Sequence, residues 1–175
     1  RENLPAYMVP ADLHFVDGLW PLPMDAVLNG IQLAAQDLST SGGPSAAEAI
    51  CTTDTVSKQA VHASPDGWVI GGMAKGAGML APALATMLVV ITTDAVVEPA
   101  ALDAALRTAT GFTFDRTDSD GCMSTNDTVI ILSSGASGVC PQDAEFSEAL
   151  TGVCADLARQ LLADAEGSAH DIEVR

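Results

Sequence analysis

Positive charge is scarce in this 175-residue chain: seven lysines and arginines stand against 23 aspartates and glutamates, a formal net charge of -16 at pH 7. With no basic stripe to neutralise phosphates, nucleic acid and anionic membrane surfaces are poor partners. Long apolar runs are missing too. The run from Met87 to Ile91 has the length of a strand, far short of the roughly 18 residues of a membrane helix. The first residues lack the charged, apolar and small-residue order of a signal peptide. The four cysteines, Cys51, Cys122, Cys140 and Cys154, lack the paired spacing of a zinc site, and His14, His62 and His170 add no metal-ligand spacing. Scattered thiols in a chain with ample core read as reduced and mostly buried, which points to the cytoplasm. The chain opens on Arg1 and stops within Ile172-Glu173-Val174-Arg175, so a piece of a longer protein is expected.

What is present suffices for one domain, since 48% apolar residues can fill a core. Prolines interrupt the first twenty residues, where Tyr7, Phe15 and Trp20 could cover a core edge. Leu28, Ile31, Ala35 and Leu38 recur at helical spacing over 24–38, and the run from Ser39 to Pro44 stops that helix. A short apolar run, 47–51, reads as a strand entering Thr52-Thr53-Asp54-Thr55, where Thr53 and Asp54 hold the loop together. Strands are expected over 56–62 and 67–73 with a Ser64-Pro65-Asp66-Gly67 turn, over 87–91 with both faces buried, and over 129–132. Helices are expected over 100–109 after Pro99, and from an Asp143 cap to Ala165 with a Phe146, Leu150, Val153, Leu157 and Leu161 stripe. Helices separated by strands without a strict βαβ repeat predict a layered α/β fold.

One stretch is an odd use of residues if packing is its only purpose. Lys75 stands between Ala74 and Gly76 in a glycine-broken loop that passes Ala81-Pro82 and reaches Ala85-Thr86 at the mouth of the apolar run. Thr86 reads blandly as a β-branched residue opening a strand. It also suits a nucleophile that becomes a new N-terminus, its freed α-amine (pKa about 8) serving as base for its own hydroxyl. The glycines would permit the bend such a peptide rearrangement needs. Gly76 and Gly78 do not form a phosphate cradle, because no Walker or dinucleotide pattern follows. Ser124-Thr125-Asn126-Asp127-Thr128 is a polar knot, read as a loop brace or a support for Thr86.

Residues Lys75 to Ala95, KGAGMLAPALATMLVVITTDA, closely resemble the central segment of the bifunctional ornithine/glutamate N-acetyltransferases of arginine biosynthesis. Cys51-Thr52-Thr53-Asp54-Thr55 and FTFDRTDSDGCMSTNDT (112–128) are similar to further stretches of that family, and the likeness runs over most of 22–175. The resemblance implies an α/β, N-terminal-nucleophile-like sandwich of mixed sheets covered by helices, the helix over 24–38 packing on a sheet. It implies cleavage between Ala85 and Thr86 into an α chain (1–85 here) and a β chain (86–175), assembled as a heterotetramer. Thr86 would be the catalytic nucleophile, and Thr52, Lys75, Thr86 and Glu166 would bind substrate. Lys75 suits a carboxylate. Glu166, unfavourable at a helix end by the dipole, suits an ammonium group.

The implied reaction is ping-pong: Thr86 takes acetyl from N-acetylornithine and glutamate receives it, with no metal or organic cofactor. Some family members also accept acetyl-CoA. The chain departs from the family pattern in lacking the STGVIG-type segment whose Thr-Gly pair stabilises the oxyanion, and the substrate contacts normally found beyond residue 175. Two alternatives stand beside this reading. One is an N-terminal-threonine amidase or aminopeptidase in which water replaces the amine acceptor. The other is a non-enzymatic acidic interaction domain in which Thr86 only packs.

Overall fold

A computed structural model describes residues 23–78, 87–119, 121, 127–167, 170 and 172. The chain divides into two compact units, Arg1–Gly43 and Pro44–Arg175. In the first, α1 (Met24–Gln36) forms where the apolar spacing predicts it, with Asp25 in its first turn. It buries none of its residues, and Leu28, Ile31 and Leu38 are all exposed. Tyr7, Phe15 and Trp20 lie outside the described residues.

The second unit is a four-stranded mixed sheet, ordered β1-β2-β3-β4, with helices on one face. Its strands are β1 (Lys58–Ala63), β2 (Val69–Lys75), β3 (Leu88–Thr93) and β4 (Thr128–Ser133). β1 and β2 form a hairpin across the expected turn, closed by the Gly67 amide donating to the Ser64 carbonyl at 3.1 Å. β2 pairs antiparallel with β3, and β3 pairs parallel with β4 through α3 (Pro99–Phe112). The α/β class and the helix-covered mixed sheet are thus as expected. A second sheet is not seen among the described residues.

Register decides which side chains meet the helices. Ala60, Ile70, Ala74, Val89 and Ile91 face the long helix α4 (Asp143–Ala163), which packs across β1 and β2 and against α3. The predicted stripe of α4 is buried, and Ala149, Cys154 and Ala158 join it. Trp68 sits in this core between His62 and Phe146, with ring centroids 5.5 and 5.7 Å away. The fit is closest at Gly72, where a Cβ would stand 2.9 Å from Leu157 Cδ1 and 3.2 Å from Val153 Cγ1. A side chain at position 72 would force the Leu157 and Val153 side chains of α4 to shift.

Several local expectations are corrected. The run over 47–51 is not a strand: α2 (Gly43–Ala49) is a helix, because Pro44 fits its first turn and Ala46-Ala47-Glu48-Ala49 are strong helix formers. β3 is buried on one face only. Leu88 is exposed and Val90 half-buried, since no described element of the second unit covers the side of the sheet opposite α4. The cap of α4 is Gln142 in extended conformation; Asp143 lies in the first turn, where its charge still complements the helix dipole, and the helix ends at Ala163. Of the described cysteines only Cys154 is buried; Cys51 is half-buried and Cys140 exposed.

Candidate functional site

The predicted binding residues gather at one end of the sheet, where β2 ends, the loop after α2 passes, and α4 stops. Lys75 is the last residue of β2, paired with Leu88 of β3. Its side chain folds onto the 52–55 loop, where Nζ donates to Thr52 Oγ1 at 3.2 Å. Lys75 is only 7% exposed, and among the described residues no carboxylate pairs with it. A buried ammonium whose one described partner is a hydroxyl is suited to a negatively charged ligand group.

After Lys75 the chain turns at Gly76, whose φ of +152° is one that residues with side chains rarely adopt. Gly76 donates its amide to Asp54 Oδ1 at 2.6 Å, and the Ala77 carbonyl accepts the Glu166 amide at 2.6 Å. Glu166 lies beyond the end of α4 in a turn, exposed, with its carboxylate beside Gly78: a Cβ there would stand 3.7 Å from Glu166 Oε2. Thr52, Lys75 and Glu166, chosen from the sequence, are therefore neighbours in space. Ala85 and Thr86 lie outside the described residues. Met87, which follows Thr86, is buried and donates its amide to Asp127 Oδ1 at 2.8 Å, so Asp127 holds the start of β3; Ser124, Thr125 and Asn126 lie outside the described residues.

Beneath these residues lies a group that sequence reasoning passed over. Lys58, fully buried at the start of β1, donates from Nζ to Asp54 Oδ1 at 2.7 Å and to Asp164 Oδ2 at 2.6 Å. Burial pushes the Asp54 carboxyl up, but hydrogen bonds from the Gly76 amide, the Lys58 ammonium and the Thr52 amide outweigh it and hold the carboxyl below its ordinary value. Asp164 behaves alike: burial raises it, while bonds from Lys58 and Thr55 prevail and lower it. Asp127 is the opposite case, since burial raises its carboxyl and the single Met87 amide does not compensate.

Among the described residues no cluster of His, Cys, Asp and Glu is arranged to hold a metal ion. The two carboxylates that do converge are spanned by the Lys58 ammonium. A cleft of about 460 Å³ lies elsewhere, between the β1 edge and α4, lined by His62, Ser64, Glu145 and Glu148, and contains none of the expected site residues.

Residues 19–175 match the family model described as the ArgJ family. The chain is 65% identical over 153 residues to the arginine biosynthesis bifunctional protein ArgJ of Streptomyces coelicolor, covering 87% of this chain and 40% of that protein. It is 60% identical over 153 residues to the protein of the same name from Thermobifida fusca, with the same coverage. Against the Mycobacterium leprae protein of that name it is 58% identical over 155 residues, 87% of this chain and 38% of the relative. The chain thus spans about 40% of the length of the curated relatives it matches.

Proposed function

The chain belongs to the ArgJ family, and from that premise we propose that the protein it is part of is an acetyltransferase of arginine biosynthesis. It transfers acetyl from N-acetylornithine to glutamate through an acetyl ester on Thr86. The observation that carries this reading is the buried ammonium of Lys75 at the end of β2, bonded to Thr52 and with no carboxylate beside it among the described residues. An amino-acid carboxylate meets the demand of that ammonium, and the nearby Glu166 suits an ammonium group of the same ligand.

The chemistry proceeds in two stages. In the precursor the Thr86 hydroxyl attacks the Ala85 carbonyl. The amide becomes an ester, and water resolves it into an α chain ending at Ala85 and a β chain beginning at Thr86. The freed α-amine then accepts the hydroxyl proton as Oγ attacks the acetyl carbonyl of the donor. The proton passes to the departing ornithine nitrogen. Glutamate's amine next attacks the acetyl ester, the acetyl–oxygen bond breaks, and the proton returns to Oγ. The amide donor already carries the acyl group, so the transfer calls for no metal or organic cofactor. Acetyl-CoA is a second donor for the same ester. Oxyanion donors and further substrate contacts come from parts of the protein beyond this chain, in a heterotetramer of α and β chains located in the cytosol.

The test is intact mass on the full-length parent and its Thr86→Ala variant, followed by a transfer assay with N-acetylornithine and glutamate. Two fragments meeting at Ala85/Thr86 in the wild type only, together with acetylglutamate formation, are expected. An uncut but folded wild type, or a cleaved one that transfers nothing, would sink the reading.

A further inference from the structure

The three segments that carry Thr52, Lys75 and Glu166 have no covalent reason to keep a common geometry. They are tied through one buried cation. Lys58 Nζ uses its three hydrogens on Asp54, Asp164 and the Val56 carbonyl, the last at 3.3 Å. The carboxylates in turn grip the segments around them. Asp54 accepts from the amides of Thr52 (3.1 Å) and Gly76 (2.6 Å), and so fixes one ligand residue directly and the neighbour of another. Asp164 accepts from the Thr55 amide at 3.0 Å and from the Thr55 hydroxyl, joining the end of α4 to the same loop. Two residues on, Glu166 closes the circuit by donating its amide to the Ala77 carbonyl.

We infer that Lys58, with Asp54 and Asp164, is the positioning group of the substrate pocket, holding Thr52, Lys75 and Glu166 in one binding geometry without touching the ligand. The inference rests on these three residues forming the pocket of the proposed acetyltransferase. Saturation of the Lys58 donors makes it a positioning residue and not a binding one: no hydrogen remains for a substrate. Lys75, by contrast, has one hydrogen-bond partner among the described residues, which leaves donors for a ligand there. A pocket whose ligand groups are locked by outer partners binds with less ordering cost.

The experiment compares the full-length parent with its Asp164→Asn, Lys58→Met and Lys58→Arg variants, all assayed well below their melting temperatures. Acetyl transfer gives KM and kcat, and amide hydrogen exchange reads Gly76 and Glu166. In Asp164→Asn and Lys58→Met we expect KM for N-acetylornithine to rise about tenfold with kcat changing less, as misplaced binding groups require. Faster exchange at Gly76 and Glu166 should accompany it, and Lys58→Arg should recover part of both. Asp164→Asn keeps the test alive if Lys58→Met does not fold. Unchanged KM despite lost protection would overturn the positioning role, because the network would then only stabilise. Unchanged protection in a folded variant would overturn the network itself. A wild type that transfers no acetyl group would remove the proposed enzyme activity instead. Exchange then decides alone whether Lys58 couples the three segments.

Discussion

Replacing Lys58 by methionine conserves most of the side-chain volume and deletes the charge. Asp54 and Asp164 then remain under the sheet end without their cation, with side chains 0% and 6% exposed. Removing one partner of a buried ion pair costs about 3–5 kcal/mol, because the other charge is left uncompensated. At a urea dependence of about 1–3 kcal/mol per molar, this lowers the unfolding midpoint of the parent protein by about 1–5 M. The fluorescence of buried Trp68 offers a probe within the same core. The loss must also depend on pH. In the wild type both carboxyls are depressed below 3.8, so they contribute stability above that value and lose it as pH falls through their folded-state values. In the variant the cation that depresses them is gone, and protonation relieves their repulsion. The gap between wild type and variant should therefore be widest near neutrality and narrow below about pH 4. A midpoint shift under about 0.3 M at pH 7, or a gap of equal size at pH 7 and pH 3, would refute the reasoning.

Gly72→Ala should destabilise by about 1–3 kcal/mol through overpacking against Leu157 and Val153. Combined with Leu157→Ala the two costs should fall short of their sum, so strictly additive denaturation midpoints would show that α4 does not rest on β2 as described. At Asp127 the folded state favours the neutral acid, so its stability contribution grows as pH falls through the raised value and the charge is a liability at pH 7. Asp127→Asn, which keeps an oxygen for the Met87 amide, should be neutral or stabilising at pH 7. Asp127→Ala should lose about 1–3 kcal/mol, and equal losses in urea melts of the two variants would argue against this account.

Periodicity made the core of this fold legible. The α4 stripe, the β1–β2 hairpin and the Pro99 start of α3 follow from local patterns that packing reinforces. The misreadings arose where local signals conflict. Residues 47–51 are apolar enough for a buried strand, but alanine-rich sequence after a proline favours a helical turn, and Ala47 is buried in either form. β3 is apolar on both faces, and a continuous apolar run does not say how many neighbouring layers its chain supplies. For the site, the motif resemblance led to Thr52, Lys75 and Glu166, and the fold brings them together. Spacing alone could not have done so, since Thr52 and Glu166 come from opposite ends of the second unit.

Lys58 was missed for a reason that can be stated from its strand. Asp54 and Lys58 sit four residues apart, a spacing usually read as a solvated pair of little energetic weight. The strand phase contradicts that reading. Ala60 and Ile70, across the hairpin from His62, face the helices, and Lys58 shares the parity of Ala60. Alternation thus places a lysine among inward positions, and a buried ammonium demands counter-charges that lone hydroxyls do not supply. One of them, Asp54, is in view locally; the other, Asp164, lies 106 residues away at the end of α4. An aspartate at that helix end is unfavourable by the dipole until the cation is in place. Each of the two charges therefore looks misplaced when read alone, one inside a strand and one at the wrong end of a helix. A pair of such anomalies of opposite sign, one on a buried strand phase and one at the helix that covers it, is the sequence signal by which this ion network could have been found.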